Sequence, residues 1–85
     1  MPKRIRLSGQ ARDQLEYRGG NEEEVIEAIA TSPWDSAEMG RFECRKVFSY
    51  NKEWNRKWYL NKEVRPIFAD EENEIVVVTV YVYYR

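Results

Sequence analysis

This 85-residue chain contains no histidine and one cysteine, Cys44, so any chemistry it performs draws on other groups. Neither a Ser-His nor a Cys-His pair can form, and a lone cysteine without histidine cannot build a structural zinc site. No glycine-rich phosphate loop follows a strand pattern, and the acidic runs match no calcium loop, so neither metal nor cofactor is expected. What remains is arginine, lysine and tyrosine on segments that alternate like strands: Arg45, Lys46, Arg56, Lys57, Arg65, Tyr81, Tyr83, Tyr84 and Arg85. Such groups hold phosphate and stabilise the negative charge that grows during phosphoryl transfer. RNA carries its own nucleophile, the 2′-hydroxyl. A protein that cleaves it supplies orientation, charge and proton transfer, and neither metal nor histidine is obligatory. The stretch Trp54-Asn55-Arg56-Lys57-Trp58-Tyr59 interleaves aromatic and basic residues, a pattern that stacks unpaired bases while cations hold the backbone. A plainer reading stands beside it. Outward Arg and Lys on strands are ordinarily just solvated, a tryptophan of this stretch fills the core, and Cys44 is an inert small apolar residue.

These residues need elements to position them. Net charge is −1, which by itself predicts no polyanion binding, but the charge is segregated along the chain. Residues 21–40 carry six acidic side chains and no basic one, whereas residues 41–65 carry eight Lys or Arg against three Glu. A basic face and an acidic face are therefore possible, as are merely acidic helix exteriors and basic strand exteriors. Arg4-Ile5-Arg6-Leu7 reads as a short strand or an ordered arm. Ser8 caps a helix that runs to about Arg18 with Ala11 and Leu15 on one face, and Gly19-Gly20 ends it. Asn21 caps a second helix with Glu24 at the capping-box position. Val25, Ile26, Ile29 and Ala30 are its expected buried face, and Thr31-Ser32-Pro33 its stop.

Residues 33–40 read as a loop closed by Gly40. Arg41 to Tyr50 alternates, with Phe42, Cys44, Phe48 and Tyr50 on one side and Arg41, Glu43 and Arg45 on the other. Asn51-Lys52-Glu53 reads as a turn, Trp54 to Leu60 as a strand, Asn61-Lys62 as another turn, and Val64 to Ala69 as a strand that Pro66 assigns to an edge or bulge. After an acidic turn at 70–73, Ile75 to Tyr84 is apolar on both faces, as expected of a central strand. The order predicts an α+β fold: two N-terminal helices followed by a 3-4-stranded antiparallel sheet, in one domain over residues 1–85. The start, Met1-Pro2-Lys3-Arg4, leads into no apolar run, and no stretch is long enough for a membrane helix. With one cysteine, a reducing, cytoplasmic setting is expected.

Leu7-Ser8-Gly9-Gln10-Ala11-Arg12-Asp13-Gln14-Leu15-Glu16-Tyr17-Arg18-Gly19 resembles the opening of an uncharacterised family, the domain of unknown function numbered 4258. That opening has the pattern His-Ala-Arg, then Leu or Met, then Arg-Gly. Asn21 to Ala30 matches its Glu-rich second helix, Val64-Arg65-Pro66-Ile67 a strand step, and Ile75 to Tyr81 its closing strand, so the resemblance spans nearly the whole chain. The family is similar in pattern to RelE-like and BrnT-like toxins. The resemblance implies a RelE-like outline and a toxin of a type II toxin–antitoxin pair that acts on RNA as a metal-independent ribonuclease. It implies RNA and a small antitoxin protein as partners, the latter covering the basic face. Carried over by position, the matches are Ala11, Arg12, Arg18, Arg65, Thr79 and Tyr81. Of these, Arg12, Arg65 and Tyr81 are the expected catalytic groups, with Gln10 at the histidine position. Arg45, Lys46, Arg56, Lys57 and Trp58 are the expected RNA-binding set.

Gln10 departs from the family pattern. Glutamine accepts and donates hydrogen bonds but does not titrate near neutral pH. If the family histidine moves a proton, this chain is a weak enzyme or a non-catalytic RNA- or protein-binding module; if it is structural, Gln10 preserves its polarity. A third reading is an interaction protein, including a homodimer, paired through the long apolar strand or an exposed aromatic patch.

Overall fold

The computed structural model describes residues 3–85; Met1 and Pro2, where the reading of the N-terminal start begins, lie outside the described residues. Strand β1 (Arg4–Leu7) comes first, then helices α1 (Gly9–Tyr17) and α2 (Glu22–Thr31), and then strands β2 (Asp35–Ser36), β3 (Phe42–Glu43), β4 (Lys46–Trp54), β5 (Lys57–Asp70) and β6 (Glu74–Tyr84). Both helix starts form where local chemistry places them. The Ser8 side chain accepts from the Ala11 amide, and Asn21 and Glu24 complete a reciprocal capping box. Gly19 then takes a positive φ of 77° to turn the chain from α1 towards α2.

The class is α+β, but the expected 3-4-stranded antiparallel sheet behind two N-terminal helices, RelE-like in outline, is overturned. The sheet has six strands, with order β1-β6-β5-β3-β2 and β4 also paired to β5. It is mixed, because β1 precedes the helices and lies parallel to β6, with Ile5 opposite Ile75 and Leu7 opposite Val77. Alternation explains the outcome. Leu7 is buried and Ile5 packs against the core, while Arg4 and Arg6 stay exposed, so four residues suffice to cover one flank of β6.

The expected turns at 51–53 and 61–62 are also corrected. β4 runs through Asn51 as a bulge, and the reversal falls at Asn55-Arg56, whose φ values of 50° and 70° are those of a type I′ hairpin turn. β5 then continues unbroken through Asn61 and Lys62. Lys62 is tolerated inside a strand because its ammonium meets the Glu24 carboxylate at 2.9 Å and the Gly19 carbonyl at 3.2 Å. Pro66, expected at an edge or bulge, lies in an interior strand. Its missing N–H faces the break between β3 and β4, where its carbonyl accepts from Cys44 N.

Both helices pack on one face of the sheet. The core there holds Leu7, Ala11, Leu15, Val25, Ala28, Ile29, Val64, Phe68, Val77 and Val80. Ile26 and Ala30, expected in the buried face of α2, are exposed, and Ala28 takes their place, because the helix presents 25, 28 and 29 to the sheet. No helix among the described residues is long and apolar enough to cross a membrane.

Candidate functional site

The face of the sheet turned away from the helices carries the candidate groups, and the register decides which of them meet. Glu43 pairs with Ile67 and Lys46 with Val64, so Arg45 lies across from Arg65. Arg65 in turn pairs with Tyr81 on β6. A bulge puts Tyr81 there. Ile67 faces Thr79 and Phe68 faces Val77, so Val78 is an extra residue that reverses the alternation of β6. Ile75, Val77, Val80 and Val82 point to the helices, leaving Thr79, Tyr81 and Tyr83 for the other face.

The row Arg45–Arg65–Tyr81 is completed from the helix layer by Arg18. Past Leu7 the edge of β6 has no strand beside it, and α1 covers it with side chains. Gln14 Oε1 accepts from Val80 N at 3.3 Å, and Arg18 Nη1 donates to Val80 O. Bonds of this kind contribute roughly 1 kcal/mol each and remove an edge that could pair with another chain. Having reached around that edge, the Arg18 guanidinium lies 5.1 Å from the centre of the Tyr81 ring, and the Arg65 guanidinium lies 5.7 Å from it. Tyr83 stacks beside Tyr81 with ring centres 6.4 Å apart.

Arg65 also meets the Glu43 carboxylate at 2.6 Å. That contact first, and the Tyr83 phenol second, raise its pKa further above the ordinary arginine value. Arg18 and Arg45 make no ion pair with a carboxylate among the described residues, so the row keeps net positive charge. Each guanidinium has five N–H donors, so one bond to Glu43 or to Val80 O leaves donors for a ligand. Next to the row, an open cleft of about 540 Å³ is lined by Ser36, Glu38, Arg41, Glu43, Arg65 and Thr79 among others. Its donors suit a phosphate or another oxyanion.

The remaining candidates lie elsewhere. Arg12 sits in the helix layer, paired with Glu22 at 3.2 Å, and the structure does not bring it to Arg65 and Tyr81. Gln10 is exposed on α1, one turn before Gln14 on the stripe Gln10, Gln14 and Arg18 at i, i+4, i+8. Lys46 packs on α2, bonding Thr31 Oγ1 at 2.9 Å and Glu27 at 3.1 Å. Arg56 occupies the hairpin tip and Lys57 lies over Tyr59, on the helix side. Trp58 is exposed on the open side, its indole N–H donating to Asn51 Oδ1 at 3.1 Å. Tyr84 points to the helices and donates to Arg18 O at 2.6 Å, and burial pushes its phenol up to about 12. Arg85 meets the largely buried Glu63 at 2.8 Å. Cys44 is buried, and burial pushes its thiol up to about 11.

Two participants were not among the expected site groups. Glu43 appeared only as an outward strand residue, and Arg18 only as a motif match. The i, i+4 step from Gln14 to Arg18 was the available signal, and it acquires meaning only once α1 lies along β6. Among the described residues, no group of three or more His, Cys, Asp or Glu is placed to hold a metal ion. Comparison with known proteins finds no family model, no curated protein and no solved structure that matches this chain.

Proposed function

We propose that this chain is an RNA-acting protein of the toxin-like kind its motifs resemble, and that it engages RNA on the open face of its sheet. The observation that carries this reading is the convergence of Arg18, from α1, with Arg65 on one tyrosine, Tyr81, while Arg45 lies across from Arg65. Cationic groups gathered on an aromatic ring, beside an open cleft, match the charge of a phosphodiester and the spread of its oxygens. In this reading Arg65, Arg45 and Arg18 hold the phosphate and the Tyr81 hydroxyl donates a hydrogen bond to it. The substrate's own 2′-hydroxyl is the nucleophile of any cleavage. A small antitoxin protein covering this face is the corresponding partner, and the cytoplasm the corresponding site of action.

A second reading, RNA binding without cleavage, is favoured by Gln10 and by the Glu43 carboxylate, whose Oε2 is engaged by Arg65 at 2.6 Å. One experiment separates the two. The native chain, its Gln10→His variant and its Arg65→Gln variant are expressed in bacteria while growth and total RNA integrity are followed. Growth arrest with fragmented RNA from the native chain, lost in Arg65→Gln, supports the enzyme. Whole RNA, together with binding that weakens steeply with salt and with Arg65→Gln, supports the binding module. Binding that ignores both salt and Arg65→Gln refutes the site.

A further inference from the structure

The open face continues past the arginine row towards the hairpin tip, and its character changes there. Val47, Trp58, Leu60 and Tyr83 are all exposed, Trp58 to 61% and Leu60 to 62%. They share one face because β5 carries a bulge of its own. The amides of Leu60 and Asn61 both donate to Arg85 O at 2.9 Å, which returns Trp58 and Leu60 to the side of Glu63 and Arg65 and sends Tyr59 to the helix side with Tyr84. The indole of Trp58 is tethered at its edge by Asn51, so its orientation is set while its ring face stays open. Tyr83 is likewise oriented, nearly parallel to Tyr81 at an interplanar angle of 15°.

Trp58 and Arg65 lie on the same strand, about 23 Å apart at the rise of an extended chain. The acids along this track are largely matched: Glu43 is paired to Arg65 and Glu63 to Arg85, leaving Glu53, across from Trp58, exposed. One end of the track thus offers aromatic faces and the other unmatched positive charge. A double helix presents phosphates but keeps its base faces stacked inside, so it can use only one half of such a surface. A single strand can use both.

We propose that this face takes single-stranded RNA, with bases stacking on Trp58 and Tyr83 while backbone phosphates lie on Arg45, Arg65 and Arg18. The proposal rests on the RNA reading of the arginine row and names the form of RNA it selects. It is tested by binding of the full chain to an oligouridylate of about ten nucleotides and to an RNA hairpin duplex, each over a series of salt concentrations. Variants are Trp58→Leu and Tyr83→Leu, which keep apolar bulk but lose the stacking plane, Trp58→Phe, which keeps a plane, and Arg45→Gln. Urea melts check that each is folded.

The oligouridylate is expected to bind at least tenfold tighter than the duplex. Trp58→Leu and Tyr83→Leu should each cost roughly tenfold on the single strand alone. Trp58→Phe should restore most of it. The salt slope should be unchanged by the Leu variants and reduced by about 0.7 in Arg45→Gln. Equal binding of both RNAs, insensitive to Trp58→Leu, overturns this inference and leaves the arginine row standing. Binding of neither RNA by the folded chain overturns both. Trp58→Leu that leaves RNA binding intact but abolishes self-association overturns it in favour of a dimer interface.

Discussion

Replacing Glu24 by glutamine tests the contact that ties the helix layer to the sheet. Glu24 Oε1 does two jobs: it accepts from Asn21 N at 3.2 Å to complete the capping box, and it meets Lys62 Nζ at 2.9 Å. Glutamine preserves the first, since it serves equally at that position, and removes the charge needed for the second. The Lys62 side chain is only 6% exposed and that of Glu24 16%. Removing one partner of a buried pair costs about 3–5 kcal/mol. Here Lys62 keeps the Gly19 carbonyl and a position 5.3 Å from the Tyr50 ring, and gains the glutamine carbonyl, so the expected loss is about 2–3 kcal/mol. For a domain of this size that lowers the melting temperature by roughly 10–20 °C. The assay is urea denaturation, with Glu23→Gln as the control. Glu23 is exposed in the same first turn, so its change should cost only about 0.3–1 kcal/mol through the helix dipole. The double change Glu24→Gln with Lys62→Met should recover most of the loss, because no charge is then left buried. If Glu24→Gln and Glu23→Gln lose the same stability, Lys62 does not depend on Glu24 for its place inside β5.

Three further outcomes are expected. Arg56→Gly should raise the stability read from urea melts by about 0.5–1 kcal/mol, since φ is 70° there and Asn-Gly suits a type I′ turn; a lower stability would contradict the turn. Gly19→Ala should cost about 2–4 kcal/mol, because φ is 77° and an added Cβ falls 2.6 Å from the Trp54 ring and from Tyr84 Oη. Gly40→Ala has the same strain with open space around it, so it should cost only about 1 kcal/mol, and equal losses would remove the packing argument. The Tyr84 phenol is held at about 12 in the folded chain against 10 when unfolded. Between those values the unfolded state has lost a proton that the folded state keeps, so stability falls as pH rises through that window and is fully present below it. Tyr84→Phe should flatten that decline in urea melts; parallel curves for the two proteins would count against it.

Local signals in the sequence were strong where a residue satisfies its own neighbours. Ser8 and the Asn21–Glu24 box are read from side chains that bond amides three residues away, and the alternation of 42–50 survives as the division between helix side and open side. The misread segments are those whose reason lies far off. Asn61-Lys62 looks like a turn until Glu24 is known to sit above it, and the bulges at Asn51, Leu60-Asn61 and Val78 shift the period of two without a sequence mark as plain as glycine. The site divides in the same way. Arg45, Arg65 and Tyr81 are all candidates by residue type, and antiparallel register alone brings them into a row. The choice of Arg18 over Arg12 depends on which flank of α1 meets β6, and helix periodicity does not contain that.

The pairing of β1 with β6 also has a consequence in time. Residues 4–7 are synthesised well before their hydrogen-bonding partners, residues 74–77. α1 likewise seats its polar stripe on Val80. Until the last strand is made, the N-terminal strand has no neighbour and α1 has no edge to cover. The β4–β5 hairpin, closed by a two-residue turn, can form early, whereas the N-terminal segment must wait and close the longest loop in the molecule. Docking of α1 on β6 is therefore the step that adds Arg18 to the row that strand register has already formed from Arg45, Arg65 and Tyr81, and the two-sided cationic setting of Tyr81 exists only in chains that have completed it.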